Sequence, residues 1–415
     1  MLEIKGLSLK DYFKQLKEIR EKKGRKIMLE TFCYDLLYNW TDFRKIERLK
    51  KFPPKVIENR ILFETKNDFD GEGRIFYDYL IKNEYHKKYE IIWLVKSPEK
   101  CKEFKQENVR FIRSHRRYNQ KYRKAASYKY MLTSRYIFYD QSVNWIAMTR
   151  KNQVFVDLWH GCEYALNAER KKIFFDYCLT PGEIFNLPMK EAFGCTLKKM
   201  LPLGYPHYDS ILQGSEQALE YRKKLLEASG SEKLLLWYPG EMRTVCREEL
   251  EKLDAACRQW KIQILICNTI LETKLSEKEP NKEKSEKKLK LTNIKTFREE
   301  GLKTSKINIY ELLHETDALI SDYTSLMTDF LLLDRPMACI LTELDAKRKW
   351  IFEGYPDFIP AQPVASVEEI CAFTEAVGQG KDDYRLKRKE TAENIFNRCD
   401  AYSSRIAARI FSESR

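Results

Sequence analysis

Two stretches of this chain carry side chains whose types and spacing suit chemistry. In the first, Val154-Phe-Val-Asp-Leu-Trp159 is an apolar, strand-like run that ends in His160-Gly161. An imidazole there projects from the C-terminal edge of a strand, where α/β folds keep their sites. It is suited to act as a general base near neutral pH. Gly161 permits a tight turn or a close approach of backbone to ligand. The other four histidines have plainer settings: His86 and His115 lie in polar, basic stretches, His207 follows a proline in a turn, and His314 sits in a helical pattern.

The second stretch runs from Asp317 to Pro336. Ala318 to Ile320 form a short apolar strand of the kind covered on both faces. Ser321-Asp322-Tyr323-Thr324-Ser325 supplies hydroxyls and a carboxylate where a helix should begin. Leu326 to Leu333 continue at helical spacing, and Asp334-Arg335-Pro336 closes the helix, because the residue before a proline resists the helical region. A strand passing into a helix through Ser and Thr is suited to hold an anion such as phosphate. A well-capped helix of an ordinary α/β domain is the alternative.

These residues need strands and helices to position them. After Phe52-Pro-Pro54 the pattern alternates strand and helix. Strands are expected at Val56–Phe63, Glu90–Val95, Tyr130–Leu132 and Val154–Leu158, with a helix over Arg74–Glu84. Gly204-Tyr-Pro206 to Gly214 marks a break. Beyond it, strands are expected at Leu234–Tyr238, Gln263–Cys267, Leu319–Ser321 and Met337–Leu341. Repeated βα units in two halves predict an α/β protein with two Rossmann-like, doubly wound domains facing a cleft. The expected division is residues 1–55 as a basic helical segment, 56–204 and 205–385 as the two domains, and 386–415 as a C-terminal helix. Glu272 to Lys306, dense in Lys and Glu, reads as an exposed insertion.

The net charge of +13 is unevenly placed: the first 135 residues carry +15 and the remainder −2. One half is therefore suited to a polyanion or an anionic surface. Leu9, Tyr12, Phe13, Leu16 and Ile19 keep helical spacing among Lys10, Lys14, Lys17 and Arg20, after a Ser8 start. Met28, Phe32, Leu36 and Trp40 mark a second helix. Such basic amphipathic helices either lie in a membrane interface or pack on a domain with a solvated charged face. Eleven cysteines without CxxC spacing predict reduced thiols and no zinc site. The N-terminus has no apolar signal region, and no run is long enough to span a bilayer. Asp68-Phe-Asp70 has a D-x-D form but sits among turn residues, so no metal is expected.

Trp159-His160-Gly161, Gly204-Tyr205-Pro206 with Asp209, and Ser321-Asp322-Tyr323-Thr324-Ser325 with Asp329 occur in an order that resembles the CDP-glycerol glycerophosphotransferase family. Members of that family are teichoic-acid primases and polymerases. Asp176-Tyr-Cys-Leu-Thr-Pro181 and Leu333-Asp-Arg-Pro336 also fit, and the resemblance covers roughly residues 60–385. It implies a glycosyltransferase-B-like fold, a CDP-activated glycerol or related polyol donor in the C-terminal domain, and a lipid-linked cell-wall or capsular acceptor on the N-terminal one. CMP would be released at the cytoplasmic face of the membrane, with peripheral attachment and no nucleic-acid partner. His160 would take the acceptor proton. Ser321, Asp322, Thr324 and Ser325 would hold the diphosphate, with Gly204, Pro206 and Arg243 also on the donor side. Asp329 would contact ribose or polyol hydroxyls, and Gly161 and Asp209 would lie nearer the acceptor.

The chain also departs from the family pattern. His207 stands where Arg is usual, and Cys162-Glu163 stands where Thr-Pro is usual. Ile264-Leu-Ile-Cys-Asn268 lacks the family's second histidine, and Trp237 to Arg243 matches its Arg-bearing element with one residue of slack. A nucleotide-sugar transferase of the same fold, or a non-catalytic member at the membrane surface, are the alternatives.

Overall fold

The computed structural model describes residues 3–4, 7–116, 119–140, 150–159, 161, 174–239, 247–267, 291–322, 324–341, 360–396 and 400–412. His160, Tyr323 and Arg243 lie outside them. By contact density the chain falls into two compact units. The first holds everything to Trp159 plus a segment ending at Cys178. The second holds Gly161 and everything from Leu179 to Arg415. The change of unit at Leu179 precedes the expected break at Gly204, and residues 386–415 belong to the second unit instead of standing apart.

The first unit begins with helices α1 (Leu9–Lys23) and α2 (Arg25–Tyr38), a π-helical turn (Asn39–Phe43) and α3 (Arg44–Lys51). Ser8 caps α1, its Oγ accepting the Asp11 N–H at 3.2 Å. Then follow β1 (Ile57–Glu64), α4 (Gly71–Lys82), β2 (Glu90–Val95), β3 (Val109–Arg113), α5 (Ala125–Thr133), β4 (Ser134–Tyr139), β5 (Val154–Asp157) and β6 (Tyr177–Leu179). Tyr130–Leu132, expected as a strand, lies inside α5. Its apolar side chains serve a helix face whose next residues, Ser134 to Tyr139, form the strand. Helix α4 starts at Gly71, three residues before the expected Arg74.

The strands of the first unit lie in the order β6-β5-β4-β1-β2-β3, and α6 (Asn186–Phe193) and β7 (Met200–Leu201) open the second unit. The interior of the first unit is aromatic. Phe63 of β1 stacks on Trp93 of β2 at 5.0 Å and on Phe138 of β4 at 5.2 Å. All three rings are fully buried, and such pairs add about 0.5–1.5 kcal/mol each beyond area burial.

The second unit continues with α7 (His207–Gln213), α8 (Glu216–Ser229), β8 (Lys233–Tyr238), α9 (Arg247–Gln259), β9 (Ile262–Cys267), β10 (Ile294–Phe297), α10 (Glu299–Thr304), α11 (Ile309–His314) and β11 (Ala318–Ser321). After these come α12 (Ser325–Phe330), β12 (Met337–Ile340), β13 (Gln362–Val364), α13 (Val367–Gln379), α14 (Arg385–Ile395) and α15 (Tyr402–Ser412). Its sheet is parallel throughout, in the order β10-β9-β8-β11-β12-β13. Strand β10 falls in the stretch expected as an exposed insertion, most of which lies outside the described residues. Polar anchors hold it. Asp254 accepts the backbone N–H of Thr292 and Asn293 at 3.0 and 2.8 Å, and the Asn293 amide donates to Ile262 O at 3.0 Å. Such contacts leave no apolar signature in the sequence.

Two carboxylates end adjacent strands of the first unit. Asp140 follows β4 and Asp157 closes β5, where Tyr139 pairs with Asp157. Asp140 accepts the Lys66 N–H at 3.0 Å. Asp157 Oδ1 accepts the Trp159 N–H at 2.9 Å and so holds Trp159 at φ +53°, while Asp157 Oδ2 is buried without a hydrogen bond among the described residues. Burial pushes Asp140 up to about 7, with Glu72 adding to the rise. Burial and then Asp140 push Asp157 up to about 8. Both folded values exceed the ordinary 3.8. The pair therefore costs no stability below about pH 4, where both states are protonated, and costs progressively more as pH rises towards 7 to 8. We expect Asp157→Asn, which stays neutral, to flatten the fall in Tm between about pH 5 and 8. Calorimetric melts across that range test this; an unchanged slope would refute the assignment.

Candidate active site

The recognised elements meet within the second unit. Gly161 has φ +109°, and a Cβ built there would lie 2.7 Å from Ser325 Cβ and 2.8 Å from Ser325 Oγ. No side chain fits at that separation. The Gly161 carbonyl also accepts the Tyr205 hydroxyl at 3.4 Å. Residues 161, 205 and 325 are far apart in the chain, and each comes from a different short motif. They share one small volume.

Around it, the serine- and threonine-bearing turn divides its labour. Ser321 is fully buried, and its Oγ donates to Tyr238 O at 2.5 Å while lying 2.9 Å from Thr324 Oγ1. Asp322 is also buried, and its carbonyl accepts the Thr324 N–H at 2.8 Å. Ser321 and Asp322 thus shape the turn. Among the described residues of the motif, Thr324 and Ser325 are the two partly exposed hydroxyl residues. Helix α12 is shorter than the apolar spacing suggested: it stops at Phe330, a 3₁₀ turn covers Leu331–Leu333, and Asp334 turns left-handed at φ +47°. Asp334 is held by Arg388 at 3.3 Å, and Arg335 donates to Thr316 O at 2.6 Å, so this ending locks the helix to its neighbours.

Asp329 points inward. It is 1% exposed, and Oδ2 lies 3.3 Å from Nε2 of His207, which is itself fully buried. The His207 ring is stacked between Tyr205, at 5.5 Å, and Tyr310, at 4.1 Å. Expected to meet ribose or polyol hydroxyls, Asp329 instead joins α12 to α7. The i+4 spacing from Ser325 could not reveal this, because the helix turns that face into the protein.

Gly204, Pro206 and Asp209 form a second structural unit. Asp209 accepts the backbone N–H of Tyr402 at 2.8 Å and of Ser403 at 2.7 Å, which caps α15. Gly204 has φ +73°, and a Cβ there would come within 2.3 Å of the Tyr402 ring. Tyr208 meets the same ring edge-on at 5.0 Å. Pro206 precedes α7 with a helix-ready φ of −55°. This motif, expected to face donor and acceptor, latches the C-terminal helix. Sequence reading missed Tyr310 and Tyr402, neither of which belongs to a pattern that marks it out locally, and it gave Tyr205 no role although it quoted the Gly204-Tyr205-Pro206 motif. Asp68 and Asp70, the D-x-D pair, lie in a turn where Asp68 accepts the Lys96 N–H at 2.6 Å and Asp70 precedes α4.

Two parallel-sheet units of this kind, with a glycine–hydroxyl turn at a strand end, define a glycosyltransferase-B-like α/β protein. The chain belongs to the CDP-glycerol:poly(glycerophosphate) glycerophosphotransferase family, whose model matches residues 46–412. It is 21% identical over 449 residues to a teichoic acid poly(glycerol phosphate) polymerase of Staphylococcus epidermidis, covering 97% of this chain and 54% of that protein. The chain thus spans about half the length of that relative. A protein of the same name from Bacillus spizizenii is 23% identical over 381 residues, covering 83% and 88%. Among solved structures, the wall teichoic acid polymerase TagF superposes with a TM-score of 0.66 at 18% identity, covering 98% of this chain and 99% of that one. A TagF structure soaked with CDPG gives 0.65 at 17% identity, covering 89% and 93%.

We expect Asp209→Ala to lower stability by about 1–2 kcal/mol, since two helix-start N–H groups lose their acceptor. Faster hydrogen exchange confined to residues 402–412 would accompany it. Unchanged protection of that helix would show that the cap is dispensable.

Proposed function

We propose that this protein transfers glycerol phosphate, or a similar polyol phosphate, from a CDP-activated donor to a lipid-linked cell-wall or capsular acceptor. The acceptor hydroxyl oxygen attacks the phosphorus that bears the polyol. The bond from that phosphorus to the bridging oxygen breaks, CMP leaves, and the hydroxyl proton passes to His160. The single observation that supports this most is the seating of Gly161 directly on Ser325. The residue after the proposed base thereby lies beside the two hydroxyls proposed to hold the diphosphate. Hydroxyls and backbone N–H groups fixed before the reaction stabilise developing phosphoryl charge without reorganisation. Arg243 is proposed as a further phosphate anchor. Family membership supports the CDP-linked donor.

Attachment to an anionic membrane surface, peripherally at the cytoplasmic face, completes the proposal. Among the described residues no helix is long and apolar enough to cross a membrane. The N-terminal helical segment exposes Phe13 at 55%, Leu37 at 51% and Trp40 at 79% beside its many lysines and arginines. Exposed aromatics among basic side chains suit a headgroup interface.

Purified protein incubated with CDP-glycerol and a lipid-linked polyol-phosphate acceptor should release CMP. Gly161→Ala should lower kcat at least about tenfold, because the added methyl displaces Ser325. Ser325→Ala should raise KM or lower kcat while leaving the melting temperature nearly unchanged. No CMP release from any CDP-polyol would overturn the transferase proposal. For attachment, sedimentation with vesicles containing phosphatidylglycerol should weaken as salt rises. Salt-independent binding would contradict it.

A further inference from the structure

The first unit contains a hollow of about 550 Å³ between α3 and α5, away from the motif residues. Its wall is apolar where Leu49, Phe52, Ile112 and Ala126 line it. Phe52 stands 67% exposed at this wall. Cations complete the lining, and they are not equivalent. Arg113 is engaged by Glu99 at 2.6 Å, and Lys124 lies 3.6 Å from Asp42. The Asp42 carboxylate, the one acid in the lining, is itself occupied, accepting the Ala125 N–H at 3.0 Å. Lys45, Arg48 and Lys129 have no acidic side chain within ion-pair distance among the described residues, and all three are exposed.

Three uncompensated cations around an apolar hollow call for a ligand that is anionic at one end and apolar at the other. A free inorganic anion would satisfy the charges but leave Leu49, Phe52 and Ile112 in water. A purely apolar ligand would leave the cations unused. We infer that this hollow binds the headgroup of an anionic glycerophospholipid, its phosphate on Lys45, Arg48 and Lys129 and its glycerol and proximal acyl carbons against Phe52 and Leu49. Ordering three long side chains around one phosphate is offset by charge-assisted hydrogen bonds and by covering Phe52. This inference rests on the membrane-surface part of the proposal above and gives it a stereochemical site in place of a diffuse basic face.

The test uses the whole 415-residue chain and dihexanoyl-phosphatidylglycerol kept below micelle formation, titrated by calorimetry. Dihexanoyl-phosphatidylcholine and inorganic phosphate serve as comparison arms. Binding of the anionic lipid should be saturable at one site. Combined Lys45→Ala, Arg48→Ala and Lys129→Ala should weaken it at least about tenfold, and Phe52→Ser about threefold or more. Lys10→Ala, Lys14→Ala and Lys17→Ala together, which remove as much charge from α1, should change it less than about twofold. These substitutions sit at exposed positions, and unchanged melting curves confirm folding. Equal losses from the two triple variants would overturn the site. Inorganic phosphate binding as tightly as the lipid would overturn the lipid assignment. Wild-type protein that binds the short-chain lipid but not vesicles would refute membrane attachment while keeping the hollow as a lipid site.

Discussion

The second unit depends on one short helix. Helix α7 spans only His207–Gln213, too few residues to persist alone in water, so every turn of it must be held by something distant. Each of its anchors serves a different part of the fold. His207 faces Asp329 of the hydroxyl-bearing helix, Asp209 caps the C-terminal helix, and the carbonyl of Ile211 lies 2.8 Å from His314 Nδ1. Just before it, Tyr205 reaches the Gly161 carbonyl. A fully buried imidazole beside a buried carboxylate is the most demanding of these contacts. Removing either partner costs about 3 kcal/mol or more if the survivor stays charged, because a buried charge then loses its counterion.

This arrangement explains how a chain with His207 in place of the usual arginine keeps the architecture. An arginine would bring a longer, permanently charged fork to Asp329. Histidine is shorter, and the two tyrosine rings stacked on it fill the remaining space. The Asp329–His207 contact therefore reads as a structural joint whose geometry is set by aromatic packing as much as by charge. Thr324 and Ser325, one and a half helical turns at most from that joint, inherit its rigidity.

The two sheets treat the polar ends of their strands differently. In the first unit Asp140 and Asp157 end neighbouring strands where burial raises their carboxyls to about 7 and about 8, one of them fixing the left-handed turn at Trp159. In the second unit Ser321 and Thr324 end and follow a central strand with hydroxyls that can satisfy one another and the backbone without charge. Hydroxyls cost little to bury once hydrogen-bonded, whereas carboxylates shift their protonation instead. The basic N-terminal helices add a third solution: charge kept at the surface, with apolar side chains left exposed beside it.

Strands β3, β4, β6, β7, β10 and β13 went unannounced, but the other seven were legible in the sequence because a parallel strand covered on both faces is largely apolar. Val154–Asp157, Ile262–Cys267 and Ala318–Ser321 therefore announce themselves. Helix Ala125–Thr133 was not legible, since a short run of Tyr, Met and Leu fits either element until its neighbours are known. The order of the short motifs was also fixed by sequence, and with it family membership. What those motif residues touch was decided by tertiary structure alone. Asp209 meets Tyr402 across 193 residues, and no local spacing encodes that contact. Ser321, Asp322 and Asp329 are polar residue types that sequence can only nominate for ligands. Burial turned them inward and left Thr324 and Ser325, beside Gly161, as the partly exposed hydroxyls among the described residues. Residue type sets what a side chain can do, while the direction it faces depends on which distant surface is packed against it.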